Sequence, residues 1–469
     1  LLGQLGIFYL NQDKDIVIIG CGAAGGTAAQ FARKTDRKSS ITIFEKDKYP
    51  QYSKCGLPYA ISGDIPKFNN LIEFSSEWFK NAHINLLLNT IVEKIDTNKK
   101  IITAKKDNVT IDKSYDSLII ATGAKPFVPP IKNIYEDNKL VDGVFVLRTI
   151  SDAEKISSYT QKRKNAVIVG AGFIGLEMAY ALYKKDMKIN IIEALPWILP
   201  NIFDEDMANI VYETLQKNVK IFTDYIVTRI ESKSNKIYKV FLKNNKTKQE
   251  KELLSDILVI ATGCKPDSLL AQKAGCKLGK QRHIIVNSKC ETSVKNIYAV
   301  GDCTEYKDFV TKKPVAVGLG SIAVRQGIAA GINAAGGNYY LPDGVLQSCT
   351  SEFFKIEVAA VGPSAIILKE LPIVSGKYTG YSRSEYYPGG KKISIKVFAD
   401  EKTGKIIAAQ AVGDKAAKRI NTFACAILND MDIETFRKLE TTYAPPIAPT
   451  LDVETLVCDI VSMKIKRRR

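Results

Sequence analysis

Asp15-Ile16-Val17-Ile18-Ile19-Gly20-Cys21-Gly22-Ala23-Ala24-Gly25 joins an apolar, β-branched run to a GxGxxG pattern. The run reads as a buried parallel strand. A helix is expected from roughly Ala24 to Lys34. Gly20 permits the tight turn, Gly22 lets backbone approach a pyrophosphate, and Gly25 lets helix and strand pack closely. A second strand, Ile41 to Phe44, ends at Glu45, 25 residues after Gly20. That is near the spacing expected of a carboxylate on a ribose 2′-hydroxyl. A lone GxGxxG is weak evidence, but strand, glycines, helix, strand and acid in this order describe a dinucleotide site.

The pattern recurs. Ala166 to Val169 leads into Gly170-Ala171-Gly172-Phe173-Ile174-Gly175, and the next strand, Lys188 to Ile192, ends at Glu193, 23 residues after Gly170. Each glycine pattern is followed by an apolar run into a second turn: Ser117 to Ile120 into Ala121-Thr122-Gly123, and Ile257 to Ile260 into Ala261-Thr262-Gly263. The chain therefore carries an internal duplication. Glu193 is followed by Ala194-Leu195-Pro196, with no basic residue for a 2′-phosphate, so NADH is favoured over NADPH. Ile297-Tyr298-Ala299-Val300 then runs into Gly301-Asp302, which puts a carboxylate at the strand's C-terminal edge, where α/β sheets bind ligands.

Between the first acid and the first Ala-Thr-Gly turn lies Tyr52-Ser53-Lys54-Cys55-Gly56-Leu57-Pro58-Tyr59. Pro58 suits a first helical position. Cys55 would then sit near a helix N-terminus with Lys54 beside it, and both favour thiolate over thiol. Alone, such a cysteine is a loop residue; between two nucleotide sites that can deliver electrons it is a candidate redox centre.

Composition narrows the function. The 469 residues are 45% hydrophobic and 25% charged, as expected of a globular chain of several domains. No apolar run reaches the ~20 residues needed to span a bilayer. Leu1 to Leu10 has no basic flank and is expected to be an extension outside the fold, not a signal peptide. Nine cysteines without CxxC spacing and only two histidines argue against a structural metal or a disulfide framework, and for a reducing cytoplasmic setting. The net charge of +17 is spread as lysines, densest in Lys464 to Arg469, with no nucleic-acid motif beside it. Such charge suits polyanionic small molecules such as nucleotides or coenzyme A.

From about Leu346 the pattern changes to strand-like runs (Ile393 to Phe398, Ile406 to Val412), then one or two helices near 415–438. This reads as a separate α+β domain. Tyr386-Tyr387-Pro388-Gly389 and Tyr443-Ala444-Pro445-Pro446 place tyrosines in turns.

In this order the motifs resemble the flavoprotein disulfide reductases with two dinucleotide-binding sites. Within them the chain is similar to the single-cysteine branch of coenzyme A disulfide reductases, NADH oxidases and sulfur reductases. The resemblance covers about residues 14–463 and implies an α/β fold. Two Rossmann-like domains would hold FAD (residues 14–149 and 273–344) and NADH (150–272). A dimerisation domain would follow (345–463). It implies FAD contacts from Gly20, Gly22, Gly25, Glu45, Thr122 and Asp302, with Ala23, Ala24, Ala121, Gly123 and Gly301 around them. It implies NADH contacts from Gly170, Gly172, Gly175 and Glu193, with Phe173, Ile174 and Gly263, and Glu177 near the nicotinamide. Oxidised Cys55 would be reduced from NADH through FAD, and its thiolate would attack an incoming disulfide. Tyr443 and either Tyr386 or Tyr387 of a partner subunit would assist. Gln30, Arg33 and Ser53 would hold the substrate, with coenzyme A disulfide favoured. Peroxidases and water-forming oxidases of this branch carry a histidine where this chain has Ala23, which counts against peroxide or oxygen. The run Ile447 to Asp452 looks more like the sulfur reductases and oxidases, and keeps polysulfide, persulfide and oxygen as alternatives. A flavoprotein acting mainly by binding a partner is the alternative of another class.

Overall fold

An apolar run with no polar break is buried on both faces, here between helices on one side and a three-stranded antiparallel sheet on the other: Ala166 and Ile168 pack with helices, Val167 and Val169 with the sheet. The computed structural model describes residues 14–161, 163–363 and 365–468. Leu1 to Leu10 lie outside the described residues. Asp15–Ile19 is the central strand of a five-stranded parallel sheet. The order is Ile297–Ala299, Ser117–Ile120, Asp15–Ile19, Ser40–Phe44, Ile84–Leu87. The helix Ala23–Thr35 follows the glycines and packs on the helix Gly320–Ala334. That contact is at backbone distance. A Cβ at Gly327 would lie 2.4 Å from the Ala24 carbonyl oxygen, and one at Gly331 2.3 Å from that of Ala28. Larger residues would push the two helices off each other.

The second unit repeats the first. Its sheet is parallel and ordered Val144–Val146, Ile257–Ile260, Asn165–Val169, Lys188–Ile192, Lys220–Phe222. Each unit also carries a three-stranded antiparallel sheet, Ile91–Asp96 to Val109–Ser114 in the first and Tyr225–Lys233 to Glu250–Leu254 in the second. The short strand Val144–Val146 pairs parallel with Ile257–Ile260 at the edge of this sheet. A three-residue strand is too short to show in a hydrophobic pattern.

The two units meet through the turns after Thr122 and Thr262. Ala124–Pro126 pairs antiparallel with Cys264–Pro266. The Phe127 amide donates to the Gly263 carbonyl and the Asp267 amide to the Gly123 carbonyl, both at 2.9 Å. Thr122 Oγ1 donates to the Asp267 carbonyl (2.6 Å), and Thr262 Oγ1 to the Phe127 carbonyl (2.7 Å).

The C-terminal part is a five-stranded antiparallel sheet ordered Cys349–Phe353, Ile356–Val361, Ile406–Gly413, Lys392–Asp400, Ile373–Tyr381. The helices Ala416–Leu428 and Val453–Arg468 cover it. The second of these was not foreseen from the sequence. The basic tail folds onto its own domain: Lys464 Nζ donates to the Ser375 carbonyl, Lys466 pairs with Glu434 and Arg468 with Glu401. Among the described residues, no helix is long and apolar enough to cross a membrane.

Candidate active site

A single cavity of about 2350 Å³ runs along both glycine loops and the C-terminal edges of both parallel sheets. It exceeds the few hundred to ~1,000 Å³ of a typical small-ligand pocket and has room for two dinucleotides. Each loop is built alike. Gly20 and Gly170 both take φ of +103°, and a Cβ on either would come within 2.4 Å of the Ala121 or Ala261 carbonyl oxygen. A Cβ at Gly25 would lie 1.9 Å from the Gly20 carbonyl oxygen, and one at Gly175 2.0 Å from that of Gly170. Gly25 and Gly175 therefore serve the helix–strand contact and do not face the cavity. Gly22 and Gly172 do face it, with nothing within 4 Å of a built Cβ. That open space at a helix N-terminus fits a pyrophosphate.

The two acids also match. Glu45 Oε2 accepts from the Cys21 amide and Oε1 from the Asp47 amide (2.5 and 2.8 Å). Glu193 Oε2 accepts from the Ala171 amide and Oε1 from the Leu195 amide (2.8 and 2.9 Å). Each carboxylate thus braces its own glycine loop and stands where a ribose would reach it. Ala23, Ala24, Ala121, Thr122, Gly123, Phe173, Ile174, Gly263, Gly301 and Asp302 line the cavity as well. Asp302 pairs with Arg148 at 2.7 Å, while the Gly301 amide is taken by Gln326. Arg148 Nε is buried without a partner. An unbonded donor beside a carboxylate in this largely apolar cavity fits a bound polar group such as a flavin.

Cys55 faces this cavity from the 3₁₀ turn Lys54–Gly56, which leads into the helix Leu57–Ser62. That helix has only six residues and ends at Gly63, which takes φ +87°. The sulfur lies instead against the start of a fifteen-residue helix, Gly320–Ala334: a Cβ at Gly320 would sit 3.9 Å from Cys55 Sγ. The expected thiolate-favouring surroundings need correction. Enclosure by protein pushes the Cys55 thiol up, and the Glu177 and Asp302 carboxylates push it further. Arg148 pulls it down; Lys54 is not the cation that acts on it. Lys54 is itself held below its ordinary range by desolvation and by Arg148. Asp302 more than offsets burial to keep Arg148 charged.

Glu177 stands on the helix Phe173–Tyr183 and lines the cavity with Cys55 and Tyr59. Ser351 Oγ, from the C-terminal sheet, donates to Glu177 Oε1 at 2.6 Å. Burial pushes the Glu177 carboxyl up, against hydrogen bonds from Ser351 and Tyr59.

Two family models cover most of the chain: "Pyridine nucleotide-disulphide oxidoreductase" over residues 14–327, and its dimerisation domain over 349–454. The chain belongs to this family. It falls in the single-cysteine branch, and all nine cysteines are free. It is an oxidoreductase that uses FAD and a nicotinamide nucleotide. An NADH oxidase of Methanocaldococcus jannaschii is 38% identical over 462 residues, 96% of this chain and 99% of that protein. A CoA-dependent NAD(P)H sulfur oxidoreductase of Pyrococcus abyssi is 34% identical over 446 residues, 94% of this chain and 96% of that one. Among solved structures, an NAD-dependent persulfide reductase from A. fulgidus matches with a TM-score of 0.91 at 34% identity, over 97% of this chain and 84% of that one.

The substrate residues expected for this branch separate in the structure. Gln30 and Ser53 line the cavity. Arg33 does not: its guanidinium donates to the carbonyls of Ala82, His83, Asp36 and Arg37, which pins the end of its own helix. Spacing puts Gln30 and Arg33 on one helix face, but the carbonyls beyond that face claim the longer side chain. Tyr386 and Tyr443 come together, hydroxyl to hydroxyl, at 2.8 Å. Both are exposed and neither lines this chain's cavity. Tyr387 turns instead toward Arg383. The pairing pulls Tyr443 down and Tyr386 up, and Thr450 and Ser384 lower Tyr443 further. Sequence reasoning missed Arg148, Ser351 and Tyr59. Only Tyr59 carried a signal, four residues after Cys55 and thus one helical turn away.

Proposed function

We propose that the chain catalyses NADH-driven reduction of a low-molecular-weight disulfide, coenzyme A disulfide foremost, through Cys55. The observation that carries this is the exposed Cys55 thiol facing a cavity with two dinucleotide cradles. The Gly22 loop, Glu45 and Asp302 would hold FAD and the Gly172 loop and Glu193 would hold the nicotinamide nucleotide, which together would supply two-electron reduction of an oxidised Cys55. The chain's own residues do the sulfur chemistry. The Cys55 thiolate attacks one sulfur of the substrate disulfide; the S–S bond breaks, Cys55 carries one half as a mixed disulfide, and the other half leaves as thiolate. Arg148 favours charge on the attacking sulfur, and Glu177 and Asp302 oppose it. Tyr443, the more acidic of the hydroxyl pair, protonates the leaving thiolate. The pair lies outside this chain's own cavity, so it serves a second copy of the chain, and a homodimer is part of the reading.

A second reading, reduction of polysulfide or persulfide at the same thiol, is favoured by the likeness to the sulfur oxidoreductase and persulfide reductase described above. Anaerobic turnover of FAD-loaded protein with NADH, comparing coenzyme A disulfide, polysulfide and oxygen, tests both. Fast turnover with coenzyme A disulfide, lost in Cys55→Ser with FAD retained, supports the first. Turnover with polysulfide alone transfers the proposal to the second, and full turnover in Cys55→Ser refutes the thiol mechanism.

A further inference from the structure

Glu177 is held by hydroxyls from two other parts of the chain. Ser351 reaches it from the C-terminal sheet across 174 residues of sequence, and Tyr59 from the short helix that follows Cys55. Tyr59 also leans on the Ser351 strand through the Glu352 carbonyl (3.4 Å). Glu177, Tyr59 and Cys55 face the same space. Ser351 is a buried residue on the edge strand Cys349–Phe353, between the exposed Thr350 and Glu352. A buried hydroxyl costs free energy unless it is bonded, so an apolar residue would serve packing better there.

We propose that Ser351 is a positioning residue for the chemistry of Cys55. With Tyr59, it fixes the Glu177 carboxyl in the cavity wall and sets the pH at which the Cys55 thiolate forms. This rests on the reading of Cys55 as the reacting thiol. The charged groups acting on Cys55 are Glu177 and Asp302, which oppose the thiolate, and Arg148, which favours it. Those around Glu177 are Tyr59, with Glu352 beside it, and Cys55 itself. A hydrogen bond donated to a carboxylate favours its charged form. Ser351 therefore holds the ionised Glu177 carboxylate in the cavity wall, where its charge keeps the neighbouring thiol protonated. Removing the hydroxyl frees the carboxylate to turn away from Cys55 and releases the thiol to ionise at lower pH.

The test is the pH dependence of Cys55 alkylation by iodoacetamide in FAD-loaded protein, mapped by peptide mass. Ser351→Ala should shift the midpoint down, with alkylation roughly three- to tenfold faster below the wild-type midpoint, the change a half- to one-unit shift gives. Glu177→Gln should shift it in the same direction by at least as much. Ser351→Thr, which keeps the hydroxyl, should stay at the wild-type midpoint. Adding Ser351→Ala to Glu177→Gln should change nothing further. An unchanged or raised midpoint in Ser351→Ala, or an undiminished shift in the Glu177→Gln background, overturns the inference. If Ser351→Ala does not retain FAD, Glu177→Gln decides, and a midpoint that fails to fall is equally fatal. Turnover after alkylation reports separately on Cys55: activity that survives complete alkylation sinks the thiol reading, whatever the midpoints show.

Discussion

Glu454 opens the last helix with its residue only 6% exposed, beside Asp452, which forms a bidentate pair with Arg419 (2.8 and 2.9 Å). Burial, reinforced by the Asp452 charge, pushes Glu454 from 4.5 up to about 7; a Thr422 hydrogen bond and Arg419 pull the other way. Below pH 4.5 the carboxyl is protonated in both folded and unfolded chains. Between 4.5 and about 7 the folded chain keeps a proton that the unfolded chain releases. Stability from this group is therefore fully present below the lower value and lost as pH rises through the upper one. At ~1.4 kcal/mol per pKa unit the loss totals about 3 kcal/mol. Glu454→Gln removes the titration and can keep the Thr422 contact. The variant should match wild type in acid and exceed it by up to about 3 kcal/mol in mildly alkaline buffer. A chain of several domains has no single unfolding free energy, so the assay is hydrogen exchange across Val453–Arg468 as a function of pH. Parallel pH curves for the two proteins, or a variant less protected at alkaline pH, would refute the reasoning.

Four further outcomes are expected. Gly25→Ala should fold poorly and lose FAD, because the Gly20 carbonyl oxygen occupies the new Cβ position. Gly22→Ala has open space, so it should fold normally and raise the FAD Kd by tenfold or more, about 1.4 kcal/mol, as flavin titration would measure. In Glu193→Ala the Ala171 and Leu195 amides lose their acceptor. The NADH KM should rise, and preference over NADPH should narrow by about tenfold or more in steady-state kinetics, equivalent to ~1.4 kcal/mol. Arg148→Met removes the cation that favours the thiolate, so the Cys55 alkylation midpoint should rise, opposite in sign to Glu177→Gln.

What could be read from the sequence was local. Strand, glycine turn, helix and acid follow one another within about thirty residues, and both nucleotide cradles were visible for that reason. The groups around the sulfur were not. Arg148 reaches Asp302 across 154 residues and Ser351 reaches Glu177 across 174, and no spacing rule connects them. The surroundings of Cys55 were misjudged for the same cause: its neighbour in sequence, Lys54, is not the cation that acts on it. The helix Val453–Arg468 escaped notice although Val453, Val457, Val461 and Ile465 recur every fourth residue. Glu454, Thr455 and Ser462 are buried too, which blurs the apolar stripe.

The turns that join the two nucleotide-binding units exchange equivalent bonds: Thr122 gives to the partner turn what Thr262 gives back, and Gly123 accepts as Gly263 does. A contact in which each side offers the same patch to the other is isologous, the kind formed by two identical subunits about a twofold axis. Here it lies inside one polypeptide. A shorter protein with a single nucleotide-binding unit and one Thr-Gly turn could have closed on a second copy of itself with every one of these bonds intact. Fusion of two such genes would then have needed no new interface, only a linker, after which one half was free to specialise for the flavin and the other for the nicotinamide.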